Sequence, residues 1–458
     1  MTQDIHRNLE NQRVFFNSFQ TRDIDFRIDQ LKTLKKAILA YEETIYQALW
    51  QDLHKSRFET YVTELGMVLK EIALHIRKLR QWSRPERVPT NQLLHFWSSS
   101  RILKEPYGLA LIIAPWNYPF LLLFGPLIGA ISAGNCVVLK PSEQVPHTSD
   151  AIRKMITEFF PDSYISVYQG DADVSRALLA EKWDYIFFTG SLEVGKFVME
   201  AASRNLTPVT LELGGKNPCI VDADANVKQA AARIAWGKFI NAGQTCIAPD
   251  YLFVHKQVKR EFLKLLEKNI RKYYGDNARD SIDYVRIVSI PKTERLADFL
   301  KGMTTHYGGD VNFAERYISP TILIDVNFDD PIMKEEIFGP LLPVMEFESL
   351  SEVIGFVNEQ PKPLALYYFS RDKKKQALVL GKTSSGGVSI NDVVVHFASD
   401  SMPFGGVGNS GMGSYHGKYS FEIFSHRRSV LKKATWIDIP LRYPPYRNKL
   451  AFVKWLLR

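Results

Sequence analysis

From about residue 105 onward, short β-rich runs alternate with helix-length segments, and this rhythm restricts the possible folds more than any other feature. The runs 110–114, 136–139, 165–168 and 185–188 are short, apolar and separated by stretches long enough for a helix. A tight turn suffices between antiparallel strands, whereas parallel strands need a crossover of a dozen or more residues, usually a helix. The spacing therefore predicts an open, doubly wound parallel sheet extending to about residue 210. After Pro218 the rhythm restarts, with strand 219–221, helix 227–241, strand 251–254, helix 258–272 and further strands from 317 and 341, so a second α/β unit is expected.

The flanks differ. Residues 8–82 predict a helical layer: apolar positions recur every three or four residues at Ile28, Leu31, Leu34, Ile38 and Leu39, with no Pro or Gly before Gly66. Pro85, Pro89 and the alternation over 98–103 predict a loop and an extended arm, and 425–458, with Tyr443-Pro444-Pro445-Tyr446, predicts a second arm segment. The most apolar stretch, 109–133, is interrupted by Pro115, Asn117, Pro119 and Pro126, which favours buried strand, loop and helix over a membrane span. The fold class expected is α/β, with two doubly wound parallel-sheet domains and a small β arm.

A length of 458 residues calls for two or three domains, and 45% hydrophobic with 24% charged residues excludes a disordered, collagenous or coiled-coil chain. The net charge of +8 is spread along the chain, which favours anionic small ligands over nucleic acid. Three cysteines, Cys136, Cys219 and Cys246, cannot form a disulfide framework. Together with a polar N-terminus lacking a secretory apolar core, they predict a reducing, cytoplasmic setting.

Five segments carry candidate chemistry. Cys246, in Gly243-Gln244-Thr245-Cys246, is either a buried inert thiol or a nucleophile exposed at a turn. Glu212, between Leu211 and Leu213, is either an exposed strand residue or a cleft carboxylate whose partial desolvation suits a general base. Phe188-Thr189-Gly190-Ser191-Leu192-Glu193-Val194-Gly195 follows a strand and opens a helix, a geometry that suits a pyrophosphate. Lys140 and Glu143 end another strand, as surface charge or as nucleotide contacts at the carboxyl edge of the sheet. Asn117, in Pro115-Trp116-Asn117-Tyr118-Pro119, is a turn residue or an oxyanion donor. The literal G-x-G-x-x-G at Gly406, Gly408 and Gly411 lacks a following βαβ unit, so a flexible glycine loop is preferred there over a phosphate loop.

Taken in this order, with Glu335-Glu336-Ile337-Phe338-Gly339-Pro340 and Pro403-Phe404-Gly405-Gly406, the segments resemble the aldehyde dehydrogenase superfamily from Pro106 to about Arg428. Cys246-Ile247-Ala248-Pro249-Asp250-Tyr251, Ser414-Tyr415-His416-Gly417-Lys418 and the short N-terminus are similar to its class 3 branch of fatty and aromatic aldehyde dehydrogenases. The resemblance implies Cys246 as nucleophile, Asn117 and the Cys246 N–H as oxyanion donors, and Glu212 as the base for thioester hydrolysis. It places Glu336 on the nicotinamide ribose of NAD or NADP and Phe338 beside the ring, Lys140 and Glu143 near the adenine ribose, and Gly190, Ser191 and Gly195 near the phosphates. It implies an NAD(P)-binding domain of 1–82 and 105–210, a catalytic domain of 211–417, and an oligomerisation arm of 83–104 and 418–458 that joins a homodimer. No metal is implied.

Two other functions compete: a coenzyme A-acylating dehydrogenase, disfavoured by Glu212, and a silent structural homologue, disfavoured by intact Cys246, Glu212 and Asn117. Trp236 and Ile240 stand i and i+4 on the helix before Cys246, and Tyr118 adjoins Asn117, so the three either line an apolar aldehyde tunnel or pack in the core. The tail 448–458 is too short for a membrane anchor. Leu450, Phe452, Val453, Leu456 and Leu457, bordered by Lys449, Lys454 and Arg458, suit either a weak peripheral membrane contact or a partner subunit.

Overall fold

The structure, a computed structural model, describes residues 2–93 and 95–457. Its first sheet has six strands in the spatial order Gly411–Met412, Val209–Glu212, Tyr185–Thr189, Leu109–Ile113, Cys136–Lys140, Ile165–Val167. The last five run parallel; Gly411–Met412 is antiparallel, pairing Gly411 with Glu212. Strand order reverses between Leu109–Ile113 and Tyr185–Thr189, so a crevice opens beyond their carboxyl ends, where doubly wound sheets bind ligands. Both strands are fully buried, as a parallel sheet covered on two faces requires.

The second sheet has seven strands in the order Thr304–Tyr307, Thr321–Ile324, Leu341–Phe347, Tyr251–His255, Pro218–Val221, Ala365–Phe369, Gly387–Ile390. All are parallel except the edge strand Thr304–Tyr307. The segment 213–217 links the carboxyl end of Val209–Glu212 to the amino end of Pro218–Val221, so the carboxyl edge of one sheet faces the amino edge of the other. The third sheet is the arm: Glu86–Val88, Ser98–Pro106 and Ser425–Lys433, with Ser98–Pro106 central and antiparallel to both neighbours.

Several expectations are corrected. The layer predicted as helix over 8–82 begins at Thr2 and is broken into Thr2–Asn17, Ile24–Ala40, Glu42–Leu53 and a segment from Arg57 to Trp82 that includes a π turn at Tyr61–Leu65. Ile28, Leu31, Leu34 and Ile38 are buried, but Leu39 is 50% exposed, because a residue next to Ile38 is about 100° around the helix from it. The glycine loop preferred as flexible is packed at its two ends, Gly406 and Gly411, while Gly408 between them stands in open space. A Cβ on Gly411 would lie 2.1 Å from the Leu211 carbonyl oxygen and one on Gly406 2.0 Å from that of Ser410, so these glycines let the loop lie against the strand that carries Glu212. This loop, grouped by sequence with the second unit, joins the first sheet.

The terminal helix Leu450–Leu456 leaves Leu450, Phe452, Trp455 and Leu457 exposed, while Val453 is half-buried. The Leu456 side chain, part of the expected face, and Arg458, expected at its border, lie outside the described residues. Lys449 does not border that face as a free cation: its Nζ donates to the carbonyls of Pro440 and Tyr443 at 3.1 and 2.8 Å. Among the described residues no helix is long and apolar enough to cross a membrane.

Candidate active site

Cys246 lies in the loop before Tyr251–His255, partly exposed, and its position is set by two tight approaches. Gly243, at φ +73°, passes so close to Gly339 that a Cβ would lie 2.3 Å from the Gly339 carbonyl oxygen. Asn217 Nδ2 donates to the carbonyls of Cys246 and Ala248 at 2.8 and 3.1 Å, and its Oδ1 accepts the Ala365 N–H at 2.8 Å. One amide thus ties the nucleophile loop to the amino edge of the second sheet. Burial pushes the Cys246 thiol above its ordinary range, with Glu336 and Glu212 adding to the shift.

Asn117, on the carboxyl end of Leu109–Ile113, is buried and donates from Nδ2 to the Gln244 carbonyl at 3.1 Å. That bond fixes the direction of its amide and leaves its second N–H for another acceptor. Glu212, the last residue of its strand, is also buried, and neither carboxylate oxygen has a hydrogen-bond partner among the described residues. Burial therefore holds its pKa well above the usual carboxylate range.

Two cavities meet at Cys246. One, of about 330 Å³, is lined by Asn117, Gly190, Ser191, Glu212, Glu336 and Phe338 among others. The second, of about 790 Å³ and mostly apolar, is lined by Tyr118, Trp236, Ile240, Phe397 and Glu59 among others. The three expected tunnel residues therefore share one wall, although Ile240 is not helical: the helix ends at Phe239, and Ile240 caps it at ψ 140° with its N–H still on the Trp236 carbonyl. Tyr118 also bonds Thr245 Oγ1 at 2.6 Å, joining the oxyanion segment to the nucleophile loop.

Glu336 is half-buried, and its pKa is pushed up to about 8 by burial and by Asp250 nearby. Its segment is pinned from below: Lys216 Nζ bonds Asp250 at 2.6 Å and the carbonyls of Ile332 and Glu335 at 2.7 and 3.0 Å, while Asp250 accepts the Ile337 N–H at 3.0 Å. This clamp holds Phe338 at φ 51°, a conformation costly for a residue with a Cβ, with its ring edge-on to Trp116 at 5.3 Å.

Other expected contacts lie farther out. Lys140 and Glu143 line neither cavity and pair with each other at 2.6 Å. Gly195 lies one turn into its helix and outside both cavities; a Cβ there would come 2.7 Å from Leu213 Cδ2, so this glycine serves helix-to-strand packing. Sequence reasoning missed Lys292 and Arg295, which line the polar cavity from the helix Ile290–Asp298, with Lys292 Nζ 5.1 Å from the centre of the Trp116 ring. It also missed Asn217, whose only signal was its place directly after the Leu-Glu-Leu-Gly-Gly-Lys run. Among the described residues no group of three or more His, Cys, Asp or Glu side chains is placed to hold a metal ion.

Comparison with known proteins decides the family, since residues 1–430 match the aldehyde dehydrogenase family. The chain belongs to that family. It is 48% identical over 452 residues to the 4,4'-diaponeurosporen-aldehyde dehydrogenase of Staphylococcus aureus, covering 98% of each chain. It is 45% identical over 448 residues to the dimeric NADP-preferring aldehyde dehydrogenase of Canis lupus familiaris, covering 97% of this chain and 98% of the other. A substrate-bound structure of Staphylococcus aureus AldH superposes with a TM-score of 0.97 at 47% identity, covering 99% of each chain. The NAD+ complex of betaine aldehyde dehydrogenase from the same species superposes at 0.85 with 26% identity, covering 97% of this chain and 90% of that one. The protein is thus an aldehyde dehydrogenase-family enzyme, an oxidoreductase acting on the aldehyde group.

Proposed function

We propose that this enzyme oxidises medium- or long-chain aliphatic and aromatic aldehydes to carboxylic acids, with NAD or NADP as oxidant. The observation that carries the reading is the placement of Cys246 where an apolar and a polar cavity meet. An apolar aldehyde chain gains by leaving water for the first, and a nucleotide finds cations and a helix N-terminus in the second.

The polar cavity fits the nicotinamide half of such a nucleotide. Gly190 and Gly214 let the cavity wall close up on its own side chains: a Cβ on Gly214 would lie 2.2 Å from Glu336 Oε2, and one on Gly190 2.5 Å from the Phe188 ring. Glu336 would accept ribose hydroxyls, Trp116 and Phe338 would flank the ring, and Ser191, Lys292 and Arg295 would meet the phosphates. When bound, the nucleotide supplies the hydride acceptor that turns a Cys246 hemithioacetal into a thioester.

The protein's own groups do the rest. Glu212, with no protein partner and a raised pKa, is the base that draws the proton from the Cys246 thiol. The sulfur attacks the aldehyde carbon, and the oxyanion is held by the free Asn117 N–H and the Cys246 backbone N–H. After releasing the thiol proton to solvent, Glu212 takes one from water as the hydroxide attacks the acyl carbon of the thioester; the C–S bond breaks to give the acid and the Cys246 thiolate, and the acid loses its proton to solvent as carboxylate. A cytoplasmic, reducing setting keeps that thiolate from oxidation.

The arm is proposed to join two copies as a homodimer: Trp97 and Trp436 meet edge-on with ring centres 5.6 Å apart while 59% and 70% exposed, a large apolar surface for a free arm. The test of the function is release of reduced nucleotide from hexanal and benzaldehyde, with and without coenzyme A. Free acid at a rate indifferent to coenzyme A is expected, and an acyl-coenzyme A product would contradict it.

A further inference from the structure

Three charged side chains of the N-terminal helical layer, Lys55, Glu59 and Glu64, are buried beneath the active site and take no part in the chemistry above. Long charged side chains are almost never fully buried unless they are paired. Lys55 and Glu64 form an ion pair at 2.6 Å with both side chains fully buried. Glu64 Oε2 accepts the N–H groups of Phe120 and Leu121 at 2.8 and 3.4 Å, satisfying donors at the start of the helix Leu121–Ala133. Lys55 Nζ donates to the Asn117 carbonyl at 3.4 Å and lies 4.3 Å from the centre of the Tyr118 ring. The pair thus grips the oxyanion segment from beneath.

Glu59 grips the other side. Asn241 and Ala242 stand consecutively in the left-handed region, both at φ 51°, where each residue with a Cβ costs roughly 1–2 kcal/mol. Such a conformation persists only where its surroundings over-determine it. Glu59 Oε1 accepts the Asn241 N–H at 3.0 Å. In this conformation Asn241 Nδ2 reaches two carbonyls, that of Asn117 at 2.9 Å and that of Gln244 at 3.1 Å. The Gln244 carbonyl is the acceptor that also fixes the Asn117 amide.

We propose that Glu59 is a positioning residue for the oxyanion donor: by holding Asn241 in its left-handed conformation, it locks the Asn117–Asn241–Gln244 bonds that aim the free Asn117 N–H at the developing oxyanion. Lys55 and Glu64 hold the opposite end of the same segment. This inference rests on the oxyanion role given to Asn117 in the proposed function. Glu59 also lines the apolar cavity, so the presence of substrate and the order of the oxyanion donor are linked through one side chain.

The test is a double-mutant cycle on kcat with hexanal, using Glu59→Ala, Asn117→Ala and the double variant. Glu59→Ala should lower kcat about tenfold in the wild-type background and less than twofold in the Asn117→Ala background, since residues acting through one group are not additive. Glu59→Gln, which keeps an acceptor oxygen, should restore kcat to within threefold of wild type. Asn241→Gly keeps the left-handed backbone without strain and deletes both side-chain bonds; it should reproduce the Glu59→Ala loss and remains informative if Glu59→Ala does not fold. Equal losses in both backgrounds, a failed rescue by glutamine, or an Asn241→Gly enzyme of wild-type kcat would overturn the proposal. Wild-type kcat in Asn117→Ala itself would instead overturn the oxyanion reading beneath it.

Discussion

The two cavities that meet at Cys246 are built in opposite ways. The polar one is made by residues at or just beyond strand ends, such as Glu212, Asn117, Gly190 and Ser191, and by Glu336 and Phe338 just before a strand of the facing sheet. The apolar one draws its walls from helices and irregular segments distant in sequence: 56–67, Trp236 with Ile240, and 394–398. The reacting groups thus sit at rigid sheet edges, whereas the apolar side is built from helical and loop segments, one of which carries the Glu59 that braces Asn241. The apolar wall also removes water from around the thiol, which raises its pKa and leaves the nucleophile dependent on a base from the polar side.

The comparison breaks most completely at the shared residue. Cys246→Ala should lower aldehyde oxidation by about 10⁴-fold or more, whatever the aldehyde, in a steady-state reduced-nucleotide assay. Substantial residual turnover would mean that the two cavities do not meet at the reacting atom.

Filling the apolar side alone should separate the two functions. Wild-type enzyme should prefer hexanal and benzaldehyde to acetaldehyde in kcat/KM. Ile240→Phe should cut kcat/KM for hexanal about tenfold relative to acetaldehyde, because overpacking costs a long chain more than a short one. A uniform fall for both aldehydes would show that Ile240 acts on the loop rather than on the cavity.

On the nucleotide side, Glu143→Gln should shift preference toward NADP by roughly two- to fivefold, a modest effect because the side chain is 43% exposed. The change removes repulsion of a 2′-phosphate and releases Lys140 from its ion pair. The ratio of kcat/KM for NADP to that for NAD is the readout, and an unchanged ratio would detach this pair from cofactor choice.

The smallest effect concerns stability. Burial raises the Glu59 pKa to about 7, so its contribution is fully present below the unfolded value near 4.5 and is lost as pH rises through about 7. Between pH 5.5 and 8 the Tm of wild type should therefore fall further than that of Glu59→Gln, by about a degree or two. Parallel Tm profiles would show that the carboxyl does not titrate across this range in the folded protein.

How much of this was legible in the sequence follows the same division. Asn117, Glu212 and Cys246 stand in short motifs whose residue types suit an oxyanion donor, a base and a nucleophile, while Glu336 and Phe338 were legible only through the family resemblance of the run 335–340. Trp236 and Ile240 were found from helical spacing even though the helix stops between them, because the cap keeps Ile240 on the same wall. The buried charges were not found. Lys55, Glu59 and Glu64 sit in a helical region whose charged positions look like an ordinary solvated face, and only the fold shows that residues 117–121 and Asn241 cover them. Leu39 is the converse, an apolar residue counted toward the core that the helix turns outward. The ends of the Gly406, Gly408, Gly411 loop were equally hidden, since its packing partner is a strand two hundred residues earlier.

Where the two cavities meet, Cys246 carries the acyl group through both half-reactions and Glu212 serves each as its base, indispensably in the hydrolysis of the thioester. The most direct measurement is rapid mixing of a Glu212→Gln enzyme with NAD and excess hexanal over a rising pH series, followed by mass spectrometry of the quenched protein. Raising the pH supplies the thiolate that Glu212 no longer generates. The account predicts a burst of NADH near one equivalent per site, an acyl adduct on Cys246, and steady-state turnover about 10²- to 10⁴-fold below wild type. Full turnover without an accumulated adduct, or the absence of both burst and adduct at high pH, would contradict it.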